Sequence, residues 1–243
     1  MTTGRPRGPS DKLICAIGDI HGQLGCLERL LARIDDHLHQ RGGLSNHLIF
    51  LGDYIDRGRE TRALLDYLID LGEQRSCVFL RGNHEQVLLD FLDDPDAGKA
   101  WIRFGGLETL ASYGVGLSHR TGADIDWPVV QSEFARAFPI EHRAFLESTE
   151  YCCSAGDFFF VHAGIDPKKS FTDQSAWDLM TVRRRFLGND DIRDKVVVHG
   201  HSHVTKPEIK RNRIGIDTGA YATNVLSSVM IWNELITFVD SKN

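Results

Sequence analysis

Short apolar runs recur along the chain, each closed by glycine or a polar residue. Leu13–Ile17 ends at Gly18 and Leu48–Leu51 at Gly52; Cys77–Leu80, Phe158–Val161 and Val196–Val198 repeat the pattern. Runs of this length bounded by turn-forming residues predict buried strands. Between the first three lie helical spacings: Leu24, Leu27, Leu30, Leu31 and Ile34, then Ala63, Leu64, Tyr67, Leu68 and Leu71. Strand–helix–strand alternation predicts an α/β fold with a mainly parallel sheet and helical crossovers.

From about residue 93 to 150 the pattern turns helical. Trp101, Phe104, Leu107, Leu110 and Tyr113 share one helical spacing, a polar Gly-rich stretch runs from Gly114 to Asp126, and Phe134, Phe138 and Phe145 mark a second helical pattern. The chain is therefore expected to be one domain over residues 13–243, with a helical, lid-like insertion at 93–150 and a flexible arm at 1–12. Strands return at Ile214–Ile216, Leu226–Ile231 and Leu235–Val239, with Asn233-Glu234 as a hairpin turn.

Composition narrows the class without choosing a function. A chain of 243 residues with 42% hydrophobic and 26% charged content can bury a full core. The formal charge of −6 argues against a general nucleic-acid binder, whose footprint is a basic patch. No apolar run reaches the ~18–20 residues that span a bilayer. The first twelve residues lack the apolar stretch of a secretory signal. Five cysteines without a C-x-x-C spacing point to a reducing compartment, so the expected location is cytoplasmic.

The residues that follow the apolar runs change the picture. They form Gly18-Asp19-Ile20-His21-Gly22, Gly52-Asp53-Tyr54-Ile55-Asp56-Arg57-Gly58, Arg81-Gly82-Asn83-His84-Glu85, Val161-His162-Ala163-Gly164 and His199-Gly200-His201-Ser202-His203. In open α/β sheets ligands gather beyond the carboxyl ends of strands, so these segments are expected to converge. Asp19 and His21 are two apart and can point the same way. The Asp53 carboxylate can give one oxygen to each of two metals. Asn83 offers a carbonyl oxygen, and His162 and His201 offer nitrogens. Mixed oxygen and nitrogen ligation without cysteine favours two divalent ions, Mn²⁺ first, with Fe, Zn, Co or Ni as alternatives, over a thiolate-bound structural zinc. A cation pair of this kind is suited to displacement at phosphorus.

Gly-Asp-x-His-Gly, Gly-Asp-x-x-Asp-Arg-Gly and Arg-Gly-Asn-His-Glu, in this order, resemble the phosphoprotein phosphatase family of the calcineurin-like metallophosphoesterases. Val161–Gly164, Gly200-His201 and Ile216-Asp217-Thr218-Gly219-Ala220 continue the likeness, which is greatest to the compact bacterial members. The resemblance implies a four-layer sandwich of two mixed β-sheets flanked by helices. It implies that Asp19, His21 and Asp53 hold a first metal and that Asp53, Asn83, His162 and His201 hold a second. A hydroxide bridging the metals would attack phosphorus, with His84 as general acid and Asp56 orienting it. Arg57 would grip phosphate. Met180–Leu187 resembles the segment that carries a second phosphate-binding arginine and nominates Arg183, with Arg184 and Arg185 as alternatives. His203 departs from the compact members; in the wider superfamily the second histidine of Gly-His-x-His ligates the first metal, which makes His203 a candidate ligand.

The resemblance implies a phosphatase, and serine/threonine protein phosphatase is the first expectation. The alternative is a symmetrical diadenosine tetraphosphatase or another nucleotide phosphohydrolase. Neither nucleic acid nor membrane is an expected partner. The discriminating residues are expected between Trp101 and Tyr113 and at Tyr221, which should flank the leaving group. Other residues have plainer expectations. Glu85 should stabilise its loop or helix start, Asp217 should shape a turn, and Trp101 and Phe104 should be core, with the lining of a substrate groove as the alternative. His37, His39, His47, His119 and His142 should be solvated.

Overall fold

The computed structural model describes residues 5–40, 45–117 and 125–242. His119, expected to be solvated, and residues 1–4 of the expected arm lie outside them. The predicted strands and crossover helices appear as β1 (Leu13–Ile17), α1 (Leu24–Gln40), β2 (Asn46–Phe50), α2 (Thr61–Gln74), β3 (Cys77–Phe79) and α3 (Asn83–Asp93). The insertion holds α4 (Gly98–Trp101), α5 (Gly106–Ser112), α6 (Trp127–Ala137) and α7 (Ile140–Ser148). Then follow β4 (Cys152–Ala155), β5 (Phe158–Val161), α8 (Ala176–Thr181), α9 (Arg184–Leu187), β6 (Val196–His199), β7 (Glu208–Ile209), β8 (Arg213–Gly215), α10 (Ala220–Thr223), β9 (Ser227–Trp232) and β10 (Leu235–Asp240).

These strands form two five-stranded sheets, in the orders β10-β9-β1-β2-β3 and β4-β5-β6-β8-β7. In each sheet a parallel block (β1-β2-β3; β5-β6-β8) is extended by antiparallel strands. The single mainly parallel sheet suggested by periodicity is thereby corrected to two mixed sheets. Side-chain alternation explains why they stack. Ile14 and Ala16 of β1 face Phe158, Phe160, Val198 and Ile214 of the second sheet. Leu13, Cys15 and Ile17 face the other way, against Leu27 and Leu30 of α1. The outer face of the second sheet, Phe159, Val161 and Val197, is covered by Leu179, Val182 and Phe186.

The insertion is broken more often than its spacing predicts. The pattern from Trp101 to Tyr113 is split at Gly105, which has φ of +103°. A Cβ there would lie 2.7 Å from Cγ of Arg57, so only glycine permits both the bend and the approach. The later pattern is split at Pro139, since the residue before a proline is driven out of the helical region. Trp101, Leu110, Tyr113, Phe134, Phe138 and Leu146 belong to the same buried cluster as α1 and α2. The described part of the insertion is thus packed into the core of the first sheet. The predicted Asn233-Glu234 turn joins β9 to β10, where Trp232 pairs with Leu235. Residues 7–10 are hydrogen-bonded across both sheets: Gly8 N–H donates to Asn233 O (2.8 Å), Asp157 N–H to Arg7 O (2.8 Å) and Trp232 Nε1–H to Ser10 O (3.0 Å). Among the described residues no helix is long and apolar enough to cross a membrane.

Candidate dimetal active site

The carboxyl ends of β1, β2, β3, β5 and β6 meet in one crevice. His21, Asp53, Asp56, Arg57 and His201 all have positive φ, between 48° and 70°. Non-glycine residues in that region are strained, and so many in one place mark a site held by its surroundings. Gly52, at φ +97°, lets the end of β2 touch the start of α3: a Cβ would lie 2.5 Å from the Gly82 nitrogen.

At the centre the two oxygens of Asp53 face different partners. Oδ2 lies 3.5 Å from His21 Nε2 and 3.7 Å from His84 Nε2. Oδ1 lies 3.4 Å from His162 Nε2, which is itself 3.3 Å from Asn83 Oδ1 and 3.1 Å from His201 Nδ1. His21, Asp53 and His84 form one group able to hold a metal ion, and Asp53, His162 and His201 form another. The histidines are prepared for this. His21 Nδ1 lies 2.8 Å from Ile55 O, and His162 Nδ1 lies 2.8 Å from Leu51 O. With Nδ1–H donated to a carbonyl, each Nε2 presents a lone pair to the crevice. The donor set fits two divalent cations.

Burial drops His21 to about 3 and His201 to about 2, and it lowers His162 as well. Burial alone would raise Asp53, but the rings around it, His162 and His84 first, hold it well below the usual carboxylate range. Burial also opposes the charge on His84, yet Asp53 and Asp56 raise its pKa overall. Asp19 is pushed well above the usual range by burial and then by Asp217 and Asp53.

The remaining sequence candidates fall in or beside the crevice. Asp56 Oδ2 is 2.7 Å from His84 Nδ1. Arg57 Nη1 is 2.9 Å from His21 Nε2, and its Nη2 is 3.2 Å from His84 Nε2. Arg183 is the member of the arginine run that reaches the crevice, its Nε–H donating to His201 Nε2 at 2.8 Å; Arg185 is paired with Asp178 and Asp166. Asp19 accepts the His201 N–H at 2.9 Å and joins neither metal-holding group among the described residues. His203 joins neither group; it is exposed, with its ring against Gly219.

Several functional contacts escape sequence reasoning. Trp101 is core as expected, yet its Nε1–H donates to Asp56, and Thr109 Oγ1–H does the same at 2.7 Å. Phe104 is corrected from core to surface: it is 47% exposed, with its ring 6.0 Å from that of His84. Tyr221 is 44% exposed, 5.4 Å from the His21 ring, and the Arg57 guanidinium lies 4.7 Å from its centre. His142 is corrected from solvated to buried, between Tyr113 Oη (2.6 Å) and Asp66 Oδ1 (2.8 Å). Asp217 shapes its turn by accepting the Gly219 N–H.

Glu85 holds the loop and the helix start together, both within its expected role. Fully buried, its Oε2 accepts from Asp53 N and Gly82 N and its Oε1 from Tyr54 N, each at 2.8 Å. Burial, with Asp53 next, raises its pKa to about 7. Glu85→Gln would turn an amide nitrogen toward at least one of these N–H groups. The variant is expected to lose about 1–3 kcal/mol of stability. Thermal unfolding would show this as a fall of roughly 3–10 °C. An unchanged midpoint would show that the loop is held by other contacts.

Residues 12–217 match the sequence profile of the calcineurin-like phosphoesterases. The chain belongs to the calcineurin-like phosphoesterase family. Among curated relatives it is 27% identical over 227 residues to the asymmetrical bis(5'-nucleosyl)-tetraphosphatase PrpE of Anoxybacillus flavithermus, covering 84% of each chain. It is 24% identical over 255 residues to the zinc-dependent endopolyphosphatase of Saccharomyces cerevisiae, covering 88% of this chain and 74% of that one. A crystal structure of a protein assigned only provisionally as a diadenosine tetraphosphatase superposes with a TM-score of 0.66 at 19% identity, covering 97% of this chain and 96% of the other. The fold and the phosphoester-hydrolysing class are those the motifs implied. The names of the two sequence relatives concern a dinucleoside tetraphosphate and polyphosphate, which speaks for the nucleotide alternative more than for the phosphoprotein expectation.

Proposed function

We propose that this calcineurin-like phosphoesterase is a dimetal-dependent phosphohydrolase that cleaves dinucleoside tetraphosphates asymmetrically, into a nucleoside monophosphate and a nucleoside triphosphate. The observation that carries the hydrolase reading is the division of Asp53 between two donor sets beside the Asp56–His84 pair. Asp19, His21 and Asp53 would hold one cation; Asp53, Asn83, His162 and His201 would hold the other, with Mn²⁺ as the first candidate. When bound, the pair supplies acidified water and neutralises phosphate charge.

The chain's own side chains would do the rest. Arg57 projects its fork between the ring nitrogens of His21 and His84, where it can meet phosphate oxygens in two directions. Arg183 brings a second guanidinium beside His201. His84, with Nδ1 held by Asp56, gives the proton on Nε2 to the leaving oxygen. A water oxygen–phosphorus bond forms, the bridging phosphorus–oxygen bond breaks, and the water's proton leaves to solvent.

The choice of substrate is supported by the mouth of the crevice and by the relatives. Tyr221 and Phe104 are partly exposed beside the His21 and His84 rings, and aromatic side chains at a crevice mouth suit a nucleobase. The test is product analysis with Mn²⁺ on diadenosine tetraphosphate, in parallel with a phosphothreonine peptide and long-chain polyphosphate. AMP and ATP in equal amounts, with the dinucleotide turned over most efficiently, is the expected result. Two ADP would reverse the mode of cleavage, and faster hydrolysis of the peptide would overturn the substrate.

A further inference from the structure

We propose that Trp101 and Thr109, both on the helical insertion, are positioning residues that fix the Asp56–His84 pair for proton donation. This rests on the reading of His84 as general acid. Asp56 is fully buried and its backbone has φ of +70°, so its own chain does not hold it there cheaply. Its carboxylate receives three donors: Thr109 Oγ1 at 2.7 Å on Oδ1, Trp101 Nε1 at 3.0 Å on Oδ2, and His84 Nδ1 at 2.7 Å on Oδ2. Thr109 Oγ1 also accepts the Asp56 N–H at 2.9 Å. One hydroxyl thus grips both the backbone and the side chain of Asp56.

The insertion is shaped to make this grip. Arg57 N–H donates to Gly105 O at 3.0 Å, which ties the residue beside Asp56 to the insertion. A Cβ on Gly106 would lie 2.6 Å from the Trp101 indole, so the bare backbone is what lets the ring come this close. Trp101 and Thr109 are completely buried and touch no substrate space. Their hydrogen bonds occupy the Asp56 oxygens so that the carboxylate can turn only toward His84. Without them the carboxylate can rotate away, and the imidazole loses the partner that aims its Nε2.

Thr109→Val removes the hydroxyl at nearly constant volume, and Trp101→Phe removes the indole N–H. Each is compared with Thr109→Ser, which keeps a hydroxyl, and with His84→Asn. The readout is kcat of the Mn²⁺-loaded enzymes on phosphate esters whose leaving groups range from alkyl alcohols to 2,4-dinitrophenol. A group that positions an acid matters most when the leaving oxygen is basic. Both single variants are expected to lose about tenfold or more on alkyl esters and less than about threefold on the dinitrophenyl ester, with Thr109→Ser near the parent. A loss equal across the series, no loss, or a serine variant as slow as the valine one would overturn the positioning role. His84→Asn separates the two levels: a flat series there fails the acid reading itself. A steep series for His84→Asn with flat ones for Thr109→Val and Trp101→Phe fails only the inference. Metal content and thermal midpoints identify a variant lost to misfolding, and either variant that folds decides the question.

Discussion

Asp53→Asn is expected to lower turnover about 10³-fold or more, roughly 4 kcal/mol of barrier. It is also expected to leave fewer than two metals per chain after dialysis. The reason is geometric. Each oxygen of this carboxylate faces a different set of donors, His21 at 3.5 Å on one side and His162 at 3.4 Å on the other. An amide keeps one acceptor and points N–H toward the other set. The loop itself should survive, because Glu85 and not the Asp53 side chain holds its backbone. Elemental analysis with a turnover assay checks both halves. Two bound metals and turnover within about tenfold of the parent would remove Asp53 from the bridging role.

His84→Asn should cost about 10²–10⁴-fold on alkyl phosphates, the usual contribution of a placed acid. On dinucleoside tetraphosphate the loss should be smaller, on the order of tenfold, because a nucleotide phosphate is a far weaker base than an alkoxide. Metal content should not change. This last measurement matters because the geometry leaves His84 a second role: its Nε2 stands 3.7 Å from Asp53 Oδ2, within a group that could hold an ion. Loss of metal in step with loss of activity would make His84 a ligand and sink its assignment as the acid.

The fold was legible wherever burial was local and periodic. The runs that became β1 and β5 have the predicted limits, and the ends of β2, β6 and β8 move by one or two residues. β4 leaves no signal in the sequence because Cys152-Cys153-Ser154-Ala155 has no sustained apolar pattern; it pairs at one edge of its sheet and is only partly buried. β7, two residues long, carries no periodicity at all. The helical character of the insertion is plain in its spacing, but its breaks depend on contacts: Gly105 bends where Arg57 lies against it.

What the sequence determined by itself was the chemistry at the strand ends. Asp19, His21, Asp53, Asn83, His84, His162 and His201 each follow an apolar run, and parallel strands carry such residues at their carboxyl ends, where ligands gather. What only the tertiary structure decided was how those residues are held and what surrounds them. Trp101 and Thr109 reach Asp56 across 45 and 53 residues of chain, and the Phe104 and Tyr221 rings meet the crevice from different segments. Ligand type is written in single residues and their neighbours in sequence. Orientation and substrate fit arise from packing between distant segments, to which no local pattern corresponds.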